Sequence, residues 1–395
     1  MTPLLFLRLT GLYIHYYPQA INNKLLCFNL WHLLSVCRVL ALFFVTAAYS
    51  GRSIYRIITV YSSLSLNDME YVVSWGWQLQ SAISMIFVVY WQRNGSIKYL
   101  SENVHLPKII NTFFRTQKKN VLRWLTMSSV MTLCVAVKIG LDVANKMAKE
   151  GQTVWEPTMR LHPFDFLYRL IGVYEIAALN LVLCFFVTTV QSLAMELDAF
   201  NGHFETMLRN LSEHSNDSQI PNLCSTLLQT FASHKILGDK VQKVDKIFQL
   251  YVFLMTATGI PISIFAMITV VRRNSWSGVF RSLDDAISCT IHLIGFTIVP
   301  AQIYTKHRAI QSHLYWSEVI WRKYDKNIYR TARMVTENVE QMEIGISVGG
   351  FIVITKPLIL TSISLIIPYL LLCLQLDLGV AESTNRPIKP NPGRG

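Results

Sequence analysis

The sequence predicts an all-α, polytopic membrane protein with seven transmembrane helices, a cytoplasmic N-terminus, an extracellular C-terminus and helical extensions into the cytoplasm. Three observations predict it. The 395 residues are 52% hydrophobic and only 15% charged, whereas charged residues make up roughly a quarter of a soluble chain; the mean hydropathy is +0.34. The apolar residues come in long blocks rather than at amphipathic spacing, and a helix of roughly 20 apolar residues crosses the hydrocarbon core. Lys and Arg, which resist translocation, are about twice as numerous in one set of alternate loops as in the other.

The blocks fall at 37–57, 71–91, 121–141, 166–191, 247–271, 286–304 and 346–376. The opening MTPLLFLRLTGLYIHYYPQ carries no basic leader and no small-residue cleavage site, so the first block is read as a retained span that directs insertion. It is weakened at one end by Arg52 and Arg56. The fourth block, LYRLIGVYEIAALNLVLCFFVTTV, and the seventh are the clearest, and the sixth holds small polar groups. The basic side comprises the N-terminal segment and the loops 92–120, 192–246 and 305–345. Placing that side in the cytoplasm fixes the orientation.

The cytoplasmic loops carry helical patterning. In SLAMELDAFNGHFETMLRNL, Leu193, Met195, Leu197, Phe200, Phe204, Leu208 and Leu211 recur near a 3.6-residue period, so the fourth helix continues past the membrane. After the polar turn SEHSNDSQIPN a second helix leads into the fifth span, and the segment 305–345 is again helical. The resulting division is 1–304 for the first six spans, 305–345 for a cytoplasmic helical segment, 346–378 for the seventh helix, and 379–395 for a disordered tail. The sequons at Asn94, Asn210 and Asn216 fall on the cytoplasmic side and are expected to stay unglycosylated.

The net charge of +12 sits beside membrane spans, where it meets anionic inner-leaflet lipid. Nucleic acid is not an expected partner. The seven cysteines include no C-x-x-C pair and no histidine at metal-ligand spacing, which gives neither a zinc site nor a disulfide framework. HExxH, G-x-S-x-G, Walker A and GxGxxG signatures and paired intramembrane carboxylates are missing from the sequence, so no enzyme, catalytic residue, metal or cofactor is expected.

The seventh span holds the most informative pattern. In TKPLILTSISLIIPYLLLCLQL, Pro357, Thr361, Ser364, Pro368, Leu372 (or Leu371) and Gln375 share one helical face, while the rest is Leu, Ile or Val apart from Ser362, Tyr369 and Cys373. A narrow small-and-polar stripe turns toward protein or water. Repeated about a symmetry axis it lines an ion path, with a leucine collar near Gln375 as a hydrophobic gate. Alternatively, Thr361 and Ser364 bond their own backbone and Gln375 sits at the interface.

PYLLLCLQL resembles the signature of insect gustatory receptors: Thr-Tyr, five hydrophobic residues, then Gln-Phe. Tyr369, residues 370–374 and Gln375 match, with Pro368 in place of the Thr and Leu376 in place of the Phe. The length, the seven spans, the start RLTGLYIHYYP and the stretch HKILGDKVQKVDKIF, with His234, Leu237 and Phe248 at the family's spacing and Asp245 where Asn is common, are similar too. The resemblance implies a ligand-gated, non-selective cation channel of the plasma membrane, related to insect odorant receptors. It also implies a homo- or hetero-tetramer with related subunits, whose last helices surround a pore with Gln375 and Leu376 at the gate and Leu372, Tyr369, Pro368, Ser364 and Thr361 along the same helix.

In that family a small-molecule tastant enters from outside, into the outer halves of the first six spans. Topology then places Tyr71, Trp75, Trp77 and Gln78 of the second span, Tyr168, Arg169, Tyr174 and Glu175 of the fourth, His292 of the sixth, and Lys138 with Asp142 of the third near the ligand. Aromatic walls with a few polar groups suit a small, partly apolar molecule. The competing account makes the Trp and Tyr residues an interfacial belt and Lys138–Asp142 an i,i+4 pair. A G-protein-coupled seven-helix receptor is opposed by the charge bias and by the missing Asp-Arg-Tyr and Asn-Pro-x-x-Tyr motifs. A transporter is opposed by the scarcity of charged residues within the spans, Glu175 and Lys356 being the main ones.

Overall fold

The computed structural model describes residue 44 and residues 66–103, 111–150, 163–213, 220–273, 276–321 and 325–384. The first expected span, 37–57, lies outside the described residues apart from Phe44, as do the N-terminal stretch, Asn216 and the tail beyond residue 384.

The chain runs through α1 (Leu66–Arg93), α2 (Ser96–Asn103), α3 (Asn111–Glu150), α4 (Pro163–Glu213), α5 (Ile220–Val271), α6 (Trp276–Tyr315), α7 (Glu318–Trp321), α8 (Lys326–Gln341), the strands β1 (Ser347–Val348) and β2 (Ile352–Val353), and α9 (Lys356–Thr384). Five of them (α1, α3, α4, α5 and α6) are long and apolar enough to cross a membrane, and Lys356–Leu372 of α9 is a shorter apolar segment. They correspond to the second through sixth blocks and the seventh.

The fourth block is apolar on every side because its helix is buried on every side. From Ala178 to Leu197 almost every residue of α4 is buried, as an all-round apolar helix requires. Helices α1, α3 and α6 pack against it, and α5 closes the bundle against α1 and α6. At the centre Trp91, Phe185, Phe186, Phe248, Tyr251 and Phe296 form a ring cluster, with Trp91 and Phe248 centroids 4.9 Å apart and the Trp91 indole donating to the Ile247 carbonyl at 3.0 Å. Between membrane helices, where lipid tails are as apolar as Leu, such close packing carries the association.

Helices α4 and α5 have 51 and 52 residues. At 1.5 Å per residue each is about 75 Å long, against roughly 30 Å of hydrocarbon, so both project well beyond any bilayer. The projecting ends build a second core with α6 and α8, from Phe204, Leu208, Leu223, Leu227, Ile310, Leu314, Ile328, Val335 and Val339. This is the helical assembly expected from the 3.6-residue pattern. We call this the extension end. There Lys240 pairs with Glu196 at 2.5 Å and Lys306 with Asp198 at 3.2 Å. In α8 the residues Ile328, Thr331, Ala332, Val335 and Val339 are buried, and the Asp325 carboxylate caps the helix by accepting from the Asn327 and Ile328 N–H groups.

The seventh helix corrects the expected boundary. Residues 346–355 are not helical; within them β1 and β2 pair antiparallel, Ser347 opposite Val353 and Val348 opposite Ile352. Gly349 and Gly350, at φ of 67° and 78°, turn the chain in a conformation that only glycine adopts without strain. Helix α9 starts at Lys356, with the Thr355 hydroxyl capping the Leu358 N–H at 3.4 Å, and runs through Thr384. That carries it into the segment expected to be a disordered tail.

Candidate functional site

A cleft opens between α1, α5 and α6, toward the Leu66 end of α1 and away from the extension end. It is lined by Trp77 and Gln80 of α1, by Met255, Thr256, Gly259, Ile262 and Ser263 of α5, and by Cys289, His292, Leu293 and Phe296 of α6. Its empty space, counted with the open mouth and the solvent there, is about 300 Å³, and its enclosed part has the size of about one water molecule. Small side chains make the room: Gly259 and Ser263 lie one turn apart on the face of α5 that meets Gln80. The approach of α1 to α5 beside it is close enough that a Cβ on Gly76 would overlap the Ile262 side chain.

Two faces of α1 divide the polar work. Trp77, Gln80 and Ser84, spaced three and four apart, face α5: the Gln80 amide donates to the Met255 carbonyl and to Thr258 Oγ1 at 3.4 and 3.1 Å, and Ser84 Oγ lies 3.2 Å from the Tyr251 hydroxyl. Ser81 faces α4, donating to the Glu175 carbonyl at 3.0 Å, and Gln78 shares that face.

The cleft is backed by a chain of polar groups reaching across the bundle. His292 Nε2 lies 2.8 Å from Asn180 Oδ1. The Asn180 Nδ2 group donates to Thr132 Oγ1 at 3.3 Å, and the Thr132 hydroxyl donates to the Ser128 carbonyl at 2.9 Å. The Trp77 ring stands edge-on to the imidazole, centroids 5.1 Å apart at 80°. His292 is 5% exposed, and its Nδ1 has no hydrogen-bond partner among the described residues.

Of the residues that sequence reasoning placed near a ligand, His292 and Trp77 line this cleft. Trp75 and Tyr174 are half-buried, and Gln78 and Glu175 buried, outside its lining. Gln78 is turned aside because it shares the α4-facing side of α1. Tyr71, Tyr168 and Arg169 lie near the starts of α1 and α4, and their side chains, like that of Asp142, are outside the described residues. Lys138 does not form a described pair with Asp142: its ammonium meets Asp285 of α6 at 2.6 Å, bracing α3 against α6. The lining from α5 was missed, although TATGIPIS carried a signal. A proline and a glycine flanked by hydroxyl residues inside a span mark a helix surface with free backbone and space beside it.

Helix α9 attaches to the bundle by one narrow face. Leu358, Ile359, Ser362, Ile366 and Leu370 are its buried or half-buried positions, and its packing is against α5 and α6. Thr361, Ser364, Pro368, Leu372 and Gln375 are exposed. At 100° per residue this stripe lies roughly half a turn from the attached face, pointing away from the chain's own bundle. Within it, the Thr361 hydroxyl donates to the Pro357 carbonyl at 3.1 Å and Ser364 to the Thr361 carbonyl at 2.8 Å. Tyr369 is exposed beside the stripe. Leu376 lies on the same helix, and its side chain is outside the described residues.

The hairpin ties α9 to α5. Asp245 Oδ1 accepts from the Ser347 N–H at 2.6 Å, and both its oxygens lie 2.9 Å from the Ser347 hydroxyl. One turn along, the Gly349 N–H donates to the Gln249 carbonyl at 3.0 Å, and the Phe351 ring meets Phe253 at 6.4 Å.

No family model matches the chain, and no curated protein matches it. Among solved structures it is similar to the insect olfactory receptor OR5 of Machilis hrabei in complex with eugenol, with a TM-score of 0.67 at 11% identity over 94% of this chain and 96% of that one. A second structure of that receptor gives a TM-score of 0.59 at 14% identity over the same shares. The likeness is one of fold over nearly the whole of both chains.

Proposed function

We propose that this chain is a chemosensory receptor subunit of the gustatory type, acting as a ligand-gated, non-selective cation channel in the plasma membrane. A small organic tastant occupies the cleft between α1, α5 and α6. The α9 helices of four subunits, identical or related, surround the conduction path and present Thr361, Ser364, Pro368, Tyr369 and Leu372 along it, with Gln375 and Leu376 at the gate.

The observation that carries the proposal is the direction of the α9 stripe. The polar edge faces away from the described helices of its own chain, and a lipid-facing position is unfavourable for Gln375. The fold shared with an olfactory receptor solved in complex with eugenol supports the ligand side of the reading. So does the aromatic and partly polar lining of the cleft.

Whole-cell recording tests it. Cells expressing the chain, alone and with related subunits, should pass a cation current on addition of ligand with G-protein signalling blocked, and Gln375→Ala should change its conductance or ion preference. A response that disappears with the G-protein block, with no intrinsic current, refutes it.

A further inference from the structure

We propose that the cleft selects neutral organic molecules that donate a hydrogen bond, alcohols and phenols above all, and that Nδ1 of His292 accepts it; the inference rests on reading the cleft as the ligand site. The polar chain behind the cleft fixes the tautomer. The Thr132 hydroxyl spends its proton on the Ser128 carbonyl, so toward Asn180 it can only accept. That turns the Asn180 NH₂ to Thr132 and its carbonyl oxygen to the imidazole. A carbonyl oxygen needs a donor, so Nε2 of His292 carries the hydrogen. In a neutral imidazole the other nitrogen is then an acceptor.

That acceptor is Nδ1, buried, without a partner among the described residues, on a side chain lining the cleft. Nearby polar groups do not compete for it. The Gln80 amide is committed to Met255 and Thr258, and the Ser263 hydroxyl donates to the Gly259 carbonyl at 2.7 Å. Thr256 Oγ1, also buried and unpartnered among the described residues, lines the same cleft and can serve the ligand's oxygen. A ligand that cannot donate leaves Nδ1 desolvated and unpaired, and sites built to bond a hydroxyl discriminate against analogues without one. The Trp77 and Phe296 rings favour a flat apolar body attached to that hydroxyl.

The test uses the purified full chain in lipid nanodiscs and two matched pairs, phenol with anisole and benzyl alcohol with benzyl methyl ether, each binding read as a shift in melting temperature. The hydroxyl member of each pair should bind about 10- to 100-fold more tightly. In His292→Phe, which keeps a ring against Trp77, the preference should fall to within about threefold. Comparing variants cancels unequal partition into lipid. In Asn180→Leu the tautomer is released, and the preference should shrink as the methyl ethers gain. Equal binding within both pairs by the unsubstituted chain, or a preference that survives both substitutions, overturns the inference, as does absence of binding by all four compounds. A ligand-evoked current in cells alongside any of those results would leave the channel reading intact while removing this one.

Discussion

Asp245 shows how much one carboxylate holds at the junction of α5 and α9. It meets both the backbone and the side chain of Ser347, so removing it strands two donors. Asp245→Ala should cost about 1–3 kcal/mol in thermal unfolding of the purified chain. Asp245→Asn keeps one accepting oxygen and should cost less, and a reversed ranking would remove the clasp from the account. Gly350→Ala should cost about 1–2 kcal/mol from its positive φ alone, with the added Cβ 2.9 Å from Gln249 Oε1, measured in the same melts. The sequence pointed to Asp245 through a motif position and to His292 through topology. It could not show which groups would face them, because Ser347 and Asn180 are 102 and 112 residues away.

Among the elements, α8 and α9 read differently for physical reasons. Helix α8 lies in a segment expected to be helical, and its buried residues fall on one face because one side of it meets a core and the other water. Asp325→Ala should weaken it by about 1 kcal/mol, read as faster amide exchange confined to its first turns. The hairpin before α9 escaped notice because ISVGGFIVITK is mostly apolar, and a hydropathy window averages strand and helix alike. The Gly349–Gly350 pair was the local signal for a hairpin turn. For α9 itself, the Thr361 and Ser364 hydroxyls bond their own backbone, and the stripe is exposed on the side away from the described helices; whether it is wet is a matter for labelling. Cysteines at Thr361 or Ser364 should react with a water-soluble thiol reagent in cells when current flows, whereas one at Ile366, 7% exposed, should not; equal labelling at all three would refute a wet stripe.

Across the molecule, five of the expected spans appear as long apolar helices among the described residues, because uninterrupted hydrophobicity over some 20 residues leaves a chain few other options. Partner choice was not legible: that α4 is the central pillar and α3 a flank depends on side-chain fit, which periodicity does not encode. The orientation expected from the basic loops has a direct check. Asn94 and Asn210, both exposed near the extension end, should carry no glycan in eukaryotic cells, so glycosidase treatment should leave the gel mobility unchanged; a shift mapped to either would invert the chain in the bilayer.

The clasp at Ser347 has a mechanical outcome. Gln375 stands about 30 Å along the helix from Thr355, at 1.5 Å per residue, and α9 holds its neighbours by a single thin seam between those points. Anchored at one end and held along its length by one thin face, the helix has the geometry of a lever: a swing of about 10° around the hairpin would carry its tip by about 5 Å.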